Sequence, residues 1–330
     1  MAAPIYIPTL CRHEHLIRCI ESLKACSMAD LTDVYIALDY PLSEDHRLGW
    51  GKINSYLDIL QHDNPFKKLC IIKRDHNLGA FKNDIKTLEE YIIPFYDRWI
   101  FSEDDNEFSP NFLEYMNCCL DHFDVDKKAL AVCGYNWPQY SIKSNGNNWY
   151  RQDVFFSAWG LGMWKDRWIE CHQKLRSENY FKKQLESPQS LWRIWRTGSH
   201  NTHLFLNYTM TDRYIYHVYD ELWAAFMHLE NRYVIMPIIS KVKNYGHDGS
   251  GLHCDRISSY INVFLDNEKH FSLQGKDLYF RHNRRAIVNK NYGLRQVPKW
   301  LWQRYTGRWV NPFLEEWKED YTINVNGERL

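Results

Sequence analysis

Three consecutive acidic residues are the part of this sequence whose types and spacing most clearly suggest chemistry: Glu103, Asp104 and Asp105. They follow an apolar run at 99–101 that predicts a strand, and they precede a helix that should open at Pro110. Crowded carboxylates repel one another and are tolerated when a hard cation neutralises them. Mg²⁺ or Mn²⁺ held there would keep positions free for diphosphate oxygens. The alternative is an exposed acidic turn that caps the following helix, since helix N-termini favour negative charge.

The elements that would position these acids alternate between strands and helices. Apolar runs predict strands at 4–8, 33–38, 68–73, 99–101 and 129–133, and helical spacing predicts helices at 12–26, 45–61, 80–91 and 110–123. This order predicts the α/β class, with a mostly parallel central sheet and helices on both faces. Ligands of such sheets bind beyond the carboxyl ends of the strands. Polar residues converge on that edge: Thr9, Asp39, Arg74, Asp75 and the acidic run.

The second half of the chain is less regular. We expect a polar loop at 137–152, a strand at 153–158, and helices near 163–175, 182–196 and 217–230. A glycine-rich loop at 244–253 could close over a diphosphate, because glycine lets backbone N–H groups face phosphate oxygens. His253 in this loop is a candidate second metal ligand, and the alternative is that it is part of a polar surface.

The 330 residues are enough for one large α/β domain with an extension. We predict a main domain at 1–256 and a partly helical C-terminal extension at 257–330, with a basic and aromatic tail at 298–309. Such mixtures of residues suit a membrane interface, so peripheral contact with the inner membrane face is one interpretation of the tail. A helix that packs on the main domain is the other interpretation.

Composition narrows the class of protein. The formal net charge is zero, which leaves no electrostatic footprint for nucleic acid. The nine cysteines are odd in number and contain no CxxC pair, which indicates a reducing compartment. The first residues lack the pattern of a signal peptide, and no apolar stretch approaches the roughly 20 residues of a membrane span. We therefore expect a cytoplasmic protein. Aromatic residues make up 16% and suit either sugar stacking or core packing.

The acidic run and its surroundings resemble the metal-binding motif of GT-A glycosyltransferases. The run is especially similar to the Glu-Asp-Asp form of the N-acetylglucosaminyltransferase I type, in which a helix start like the one at 110–112 follows. The stretch at 153–164 resembles the Phe-Phe-Pro-Gly-Leu-Gly-Trp stretch of that type. The segments 219–223 and 244–253 resemble the distal part of related bacterial sugar transferases. In all, the resemblance covers roughly residues 4–254 and implies a GT-A fold that binds a nucleoside diphosphate sugar.

The resemblance also implies roles for individual residues. Asp105 would ligate the metal, and Glu103 and Asp104 would contact ribose or sugar hydroxyls. Trp159 would stack on the donor sugar or the acceptor, with a buried core tryptophan as the alternative. For the segment 74–83 a helix cap is the alternative, with Asn77 as the N-cap and Gly79 in a tight turn. The residues expected at the nucleotide or donor sugar are Thr9, Arg12, Asp39, Arg74, His76, Asn77, Gly79, Lys82, Asn83 and Gly160.

Inverting transfer needs a general base near the acceptor hydroxyl, while the metal offsets charge on the departing diphosphate. In the resembling enzymes this base is an acid that lies C-terminal to the Gly-Leu-Gly block, near a tryptophan. Asp220 fits, with Trp223 beside it, and Glu221 is the competing residue. The resembling enzymes often carry a tryptophan just before the acid, where this chain has Tyr219. The alternative for both acids is an exposed helix carboxylate.

The resemblance therefore implies a hexosyl- or N-acetylhexosaminyltransferase that uses Mn²⁺ or Mg²⁺ and a UDP-sugar. Its acceptor would be a glycan or a lipid-linked glycan in bacterial surface polysaccharide or glycan synthesis, and its oligomeric state stays open. A sugar nucleotidyltransferase is one alternative, although it usually has a basic glycine-rich loop after the first strand, and 9–15 contains no glycine. A non-catalytic carbohydrate-binding protein is the other. A dehydrogenase is disfavoured because no GxGxxG follows a strand.

Overall fold

The computed structural model describes residues 2–137, 146–153, 155–176, 183–184, 187–190, 219–249 and 262–279. Within these ranges the helices are α1 (His13–Lys24), α2 (Glu44–His62), α3 (Ala80–Thr87), α4 (Phe112–His122), α5 (Lys165–Arg176) and α6 (Tyr219–Leu229). The strands are β1 (Ile5–Thr9), β2 (Asp33–Leu38), β3 (Lys68–Lys73), β4 (Arg98–Phe101), β5 (Asn106–Phe108), β6 (Ala129–Cys133), β7 (Trp149–Gln152), β8 (Leu161–Trp164), β9 (Tyr233–Pro237) and β10 (Val242–Asn244).

The main sheet has the strand order β3-β2-β1-β4-β8-β6-β9-β7. The pairs β3–β2, β2–β1, β1–β4 and β6–β9 are parallel, and β8 and β7 run against their neighbours. The predicted α/β class with a mostly parallel central sheet is therefore confirmed. Because β1 and β4 are adjacent and parallel, their carboxyl ends lie side by side at one edge of the sheet.

Both faces of the sheet are buried, as the sequences of β1 and β2 require. Ile5 and Ile7 of β1 belong to one hydrophobic cluster and Tyr6 to the other, since successive side chains of a strand point to opposite faces. Helices α1, α2 and α4 supply the first cluster. Helices α5 and α6, together with the wider helical turn Leu88–Ile92 that continues α3, supply the second. Helices thus cover both faces, as predicted.

The chain between β4 and α4 differs from the prediction. We expected α4 to follow the acids directly from Pro110, but the short strand β5 lies between them and pairs antiparallel with β10. Helix α4 begins at Phe112, with Asn111 at its N-cap position. The paired strands bring Asn244, the last residue of β10, opposite Asn106, which immediately follows the acids. The two-stranded ribbon therefore carries a distant segment of the chain to the acidic run.

Two further expectations are corrected. The strand predicted at 153–158 is wrong, because β7 ends at Gln152 and β8 begins at Leu161. The apolar residues between these strands are used in packing instead: Phe156 stacks on Trp223 with ring centroids 6.3 Å apart. The polar loop predicted at 137–152 includes β7 at its end. No helix in the described ranges has the length and hydropathy that crossing a bilayer would require.

Residues 262–279 pack on the same body as the sheet. Phe271 is buried in the first hydrophobic cluster, and its N–H donates to the Glu114 carboxylate at 2.6 Å. Lys241, 2% exposed, forms a buried ion pair with Asp266. The predicted boundary between 256 and 257 stays a prediction, and the tail at 298–309 lies outside the described residues.

Candidate functional site

Asp104 and Asp105 lie in the turn after β4, and each acid side chain is only 5% exposed. The Arg12 guanidinium, just beyond β1, pairs with both: Nη1 lies 2.7 Å from Asp105 Oδ2, and Nη2 contacts Asp104 Oδ1. Thr9 Oγ1 donates to Asp104 Oδ2 at 2.6 Å. The adjacent parallel strands β1 and β4 explain this meeting, since both groups follow the carboxyl ends of their strands.

Asp105 is also held from the distant end of the ribbon. Asn244 Nδ2 donates to Asp105 Oδ1 at 2.6 Å, and the Tyr245 N–H donates to the Asp105 carbonyl at 2.9 Å. Gly246 lies so close that an added Cβ would stand 2.2 Å from Asp105 Oδ2. The start of the glycine-rich loop therefore lies against the Asp105 carboxylate, at a distance that only glycine permits.

Helix α1 holds this loop in place. The ring of Tyr245 lies under the Arg18 guanidinium, 4.1 Å from the ring centroid, and its hydroxyl donates to Glu107 at 2.7 Å. His15 Nε2 lies 3.2 Å from an Asp248 carboxylate oxygen. Tyr245 and Asp248, in the described start of the loop, are thus held by α1 and β5.

Burial and the charges of Arg12, Asp104 and Asp105 set the pKa values at the site. Burial raises the pKa of Asp104, and the neighbouring Asp105 adds to this rise, while Arg12 opposes it. Burial would lower the pKa of Arg12, but the attraction of Asp104 and Asp105 outweighs it and raises that pKa above the ordinary value. Arg12 therefore stays charged and offsets one of the two carboxylates.

Carboxylate oxygens are the donors that Mg²⁺ and Mn²⁺ prefer, so Asp105 and its neighbours have suitable chemistry. Among the residues that the structure describes, no group of three or more His, Cys, Asp or Glu side chains is arranged to hold a metal ion. Mg²⁺ commonly uses one or two carboxylates and completes its shell with water and phosphate oxygens. Asp104 and Asp105 have the chemistry to bind a metal of that kind. Glu103, the preceding residue, is half-buried.

An aromatic cluster borders the loop. Trp159 makes an edge contact with Tyr135 at 4.6 Å between centroids, lies 5.5 Å from Trp137, and makes an edge contact with His247 at 5.4 Å. The cluster therefore contacts His247, the residue after the Gly246 that lies against Asp105. Trp159 is only partly buried, unlike the core tryptophans, so it retains surface for a ligand.

The helix that carries the predicted base is connected to this cluster through packing. Trp223 of α6 is fully buried and stacks on Phe156, which lies three residues before Trp159. Asp220 and Glu221 lie in the first turn of α6, and their side chains lie outside the described part of the structure. His253, the candidate second metal ligand, also lies outside the described residues.

Four of the residues predicted to lie at the nucleotide make hydrogen bonds within the protein. The Asp39 carboxylate accepts the N–H groups of Tyr40, Leu78 and Gly79, each at 2.9 Å. Asn77 Nδ2 donates to the Tyr40 carbonyl at 2.6 Å. These bonds fix the loop before α3. Asn77 is not the N-cap of α3, because that position belongs to Gly79, whose φ of 77° confirms the predicted tight turn.

The same holds for Arg74 and Asn83. Arg74 donates to Asn83 Oδ1, Thr87 Oγ1 and Glu90 Oε2, each at 3.0 Å, and Asn83 Nδ2 donates to the Ala37 carbonyl at 2.9 Å. His76 is exposed and Lys82 is half-buried. A nucleotide role for the segment stays a prediction, as does a donor role for Gly160. The φ of 67° at Gly160 and its close approach to Val242 and Phe112 give it a structural role in any case.

Sequence reasoning missed the two residues that complete the site, Asn244 and Gly246, as partners of Asp105. The sequence signal for them is the glycine-rich loop at 244–253. The prediction assigns this loop to a diphosphate and does not pair any of its residues with Asp105. The pairing of β5 with β10 could not be read from the sequence, because each strand is only three residues long and they are separated by more than 130 positions.

Comparison with known proteins gives structural neighbours only. No protein-family model matches the chain, and no curated protein sequence matches it. The crystal structure of S. aureus TarS 1-349 in complex with UDP matches 44% of this chain and 40% of that chain, with 15% identity and a TM-score of 0.32. The mannosyltransferase PcManGT from Pyrobaculum calidifontis, in complex with GDP-Man and Mn²⁺, matches 50% of this chain and 45% of that chain, with 11% identity and a TM-score of 0.37. Mouse xyloside xylosyltransferase 1, in its apo form, matches 56% of this chain and 75% of that chain, with 9% identity and a TM-score of 0.33.

The chain thus spans less than half the length of the TarS and PcManGT chains that it matches. Two of the three proteins are sugar transferases by name, and two were solved with a nucleotide or a nucleotide-sugar. Because each TM-score lies below 0.5, the functional proposal rests on this chain's own residues.

Proposed function

We propose that this chain is a GT-A-type glycosyltransferase that moves a sugar from a nucleoside diphosphate, in the first instance UDP, to a hydroxyl group of a glycan. One observation carries the proposal: a buried acid pair at the carboxyl edge of a parallel sheet meets the start of a glycine-rich loop. Asp105 and Gly246 are the point of contact. Acids that hold a cation and backbone that can face phosphates are the two parts that a diphosphate site needs.

The leaving group of the reaction is a nucleoside diphosphate, and its developing charge must be offset. Mn²⁺ or Mg²⁺, held by Asp105, would supply Lewis-acid stabilisation of that charge. Arg12, which pairs with the acids in this structure, adds a positive charge that can also attract the diphosphate. Thr9 and Asn244 fix the two carboxylates by hydrogen bonds at 2.6 Å, so the acids are held in place before a donor arrives. Fixed groups of this kind cost little reorganisation during the reaction.

The aromatic cluster supplies a surface for a sugar ring. Trp159 lies beside the loop through His247 and keeps part of its indole exposed. The face of an indole ring is apolar and can pack on the C–H groups of a sugar ring. Polar groups nearby can bind the hydroxyls of that sugar. This supports a hexose or N-acetylhexosamine donor, and an acceptor that is itself a glycan or a lipid-linked glycan.

For the general base we retain Asp220, with Glu221 as the alternative. The support is the packing of Trp223 on Phe156, which ties the first turn of α6 to the loop that carries Trp159. A base there would accept the proton of the acceptor hydroxyl as it attacks the anomeric carbon, which is the inverting course. We propose bacterial surface polysaccharide or glycan synthesis in the cytoplasm as the setting, on the resemblance of the segments 219–223 and 244–253 to bacterial sugar transferases and on the odd cysteine count.

The first test is a thermal-shift screen with UDP, GDP, CDP and TDP, each with and without Mn²⁺. A ligand that binds only the folded state stabilises it by about 2.7 kcal/mol at a concentration 100 times its Kd. We expect one nucleotide to raise the Tm in the presence of Mn²⁺, and Asp105→Asn, which preserves shape, to abolish that rise. Asp58→Asn is the matched control, since Asp58 is an exposed acid of α2 that pairs with Lys73.

Release of nucleoside diphosphate from the matching nucleotide-sugar, with and without added glycans, then tests transfer. Acceptor-dependent release in wild type that Asp220→Asn removes would support both the reaction and the base. Release of pyrophosphate from a nucleoside triphosphate and a sugar phosphate would identify a nucleotidyltransferase instead. Glycan binding that survives Asp105→Asn, with no nucleotide binding, would identify a carbohydrate-binding protein and refute the proposal.

A further inference from the structure

The four carboxylate oxygens of Asp104 and Asp105 are all engaged by protein donors. Asp104 Oδ2 accepts Thr9, Asp104 Oδ1 and Asp105 Oδ2 accept Arg12, and Asp105 Oδ1 accepts Asn244. Each oxygen keeps a second lone pair, but a divalent cation bound to Asp105 Oδ2 would lie within a few ångströms of the Arg12 guanidinium, whose Nη1 is 2.7 Å from the same oxygen. Two positive charges at that distance repel each other, so the cation and Arg12 compete for Asp105.

Of the donors, Arg12 is the one that can leave. Thr9 and Asn244 are buried at the ends of strands β1 and β10, with exposures of 5% and 1%. The Arg12 side chain is 23% exposed, and it lies between β1 and α1 rather than within either element. A long guanidinium side chain can swing to a new anion without any movement of the backbone.

We infer that Arg12 is an internal counter-ion that keeps divalent metal off Asp105 until a diphosphate draws the guanidinium away. The guanidinium and the metal are alternative partners of Asp105 Oδ2. A diphosphate gives Arg12 a second anion to pair with, and guanidinium groups bind phosphate oxygens in the same two-pronged way as carboxylates. The metal and the nucleotide should therefore bind with positive coupling. The coupling to nucleotide rests on the proposed function, whereas the exclusion of metal by Arg12 does not.

The test measures Mn²⁺ binding in the absence of nucleotide, by the loss of the electron paramagnetic resonance signal of free Mn²⁺. Arg12→Gln alone would leave two buried carboxylates unpaired and endanger folding. Two double variants avoid this, because each removes one positive and one negative charge: Arg12→Gln/Asp104→Asn keeps Asp105, and Arg12→Gln/Asp105→Asn keeps Asp104. Arg47→Gln, which removes an exposed arginine that pairs with Glu44, is the control for lost positive charge.

We expect Arg12→Gln/Asp104→Asn to bind Mn²⁺ about tenfold or more tightly than wild type, because the ion no longer displaces a charge-assisted ion pair. The other double variant and Arg47→Gln should bind no more tightly than wild type. Equal Mn²⁺ affinity in wild type and both double variants would overturn the inference, as would tighter binding in both double variants alike. Denaturant unfolding of each variant checks that the fold is intact.

Titration of Mn²⁺ in the presence of the nucleotide found by the thermal-shift screen separates this inference from the proposed function. In wild type, nucleotide should tighten Mn²⁺ binding several-fold more than it does in Arg12→Gln/Asp104→Asn. Equal tightening in both would overturn the coupling while leaving the glycosyltransferase proposal intact. If no nucleotide binds, the proposed function fails, and the comparison with Mn²⁺ alone still decides whether Arg12 excludes the metal.

Discussion

Gly49 and Gly51 lie two residues apart in α2, and replacing each by alanine should change the free energy of unfolding in opposite directions. An added Cβ on Gly51 meets nothing within 4 Å. On Gly49 it would stand 1.9 Å from the Cys11 carbonyl oxygen and 3.0 Å from the carbonyl carbon. Alanine is favoured over glycine inside a helix by about 1 kcal/mol. Gly51→Ala should therefore raise the free energy of unfolding by up to about 1 kcal/mol.

The overlap at Gly49 should outweigh the same gain in helix propensity. The atom in the way belongs to the backbone and accepts the His13 N–H at 3.0 Å, so it cannot rotate aside as a flexible side chain would. Overpacking of this kind costs about 1–3 kcal/mol, and the hydrogen bond at risk contributes about 1 kcal/mol. Set against a gain of about 1 kcal/mol, the net loss for Gly49→Ala should be about 1–3 kcal/mol.

Urea unfolding followed by tryptophan fluorescence measures both variants against wild type. The slope of the free energy with urea concentration should stay the same, and the midpoint should fall for Gly49→Ala and rise for Gly51→Ala. A Gly49→Ala protein as stable as Gly51→Ala would refute the close approach of α2 to Cys11. That approach also sets the backbone next to Arg12, so Gly49→Ala should weaken nucleotide-dependent stabilisation as well.

Three further outcomes are expected. Gly246→Ala would place a Cβ 2.2 Å from Asp105 Oδ2, so it should lower the free energy of unfolding by about 1–3 kcal/mol and remove most nucleotide-dependent thermal shift; wild-type values of both would contradict the packing described. Burial raises the pKa of Asp84 to about 7, so the folded state keeps a proton that the unfolded state loses near pH 4, and stability should fall as pH rises from about 4 to about 7, by up to about 4 kcal/mol. Urea unfolding at pH 5 and pH 8 should show this fall in wild type and a smaller one in Asp84→Asn. An equal fall in the free energy of unfolding in both proteins would count against the prediction. Lys241→Met leaves Asp266 buried and unpaired and should cost about 3–5 kcal/mol, while Lys241→Met/Asp266→Leu should recover most of the loss; a double variant no more stable than the single one would show that the pair is not the cause.

The parallel part of the sheet could be predicted almost residue by residue. Strands β2, β3 and β6 begin and end at the predicted residues. Each is a short apolar run bounded by turn residues, a pattern typical of a buried strand. The strand expected at 153–158 was wrong for a physical reason. Apolar residues there pack on α6 rather than in a ladder, and single-sequence patterns do not distinguish these two uses of an aromatic side chain.

The site was predicted in part. That Arg12, Thr9 and the acids share one edge follows from strand order, which the alternation of strands and helices indicates. Asp39 and Arg74 occupy the same edge and satisfy backbone and helix groups there, and their role at a nucleotide stays a prediction. A polar residue at a strand end looks the same in sequence whether it serves a ligand or a loop, since both uses need the same donors and acceptors. Only the three-dimensional partners separate them.

The ribbon of β5 and β10 has a consequence for the order in which the protein is assembled. Arg12 meets Asp104 across 92 positions of the chain, whereas Asn244 meets Asp105 across 139. Contacts between distant positions carry a larger loop-closure cost and are expected to form later, and chains fold as they are synthesised from the N-terminus. The acids should therefore acquire their arginine while the ribosome is still translating the second half, and Asn244 and Gly246 only after β10 emerges. A nascent chain that ends before residue 244 would hold the acid pair with one of its two charges offset by Arg12 and without the loop beside it, so nucleotide binding should appear only once nearly 250 residues are free to fold.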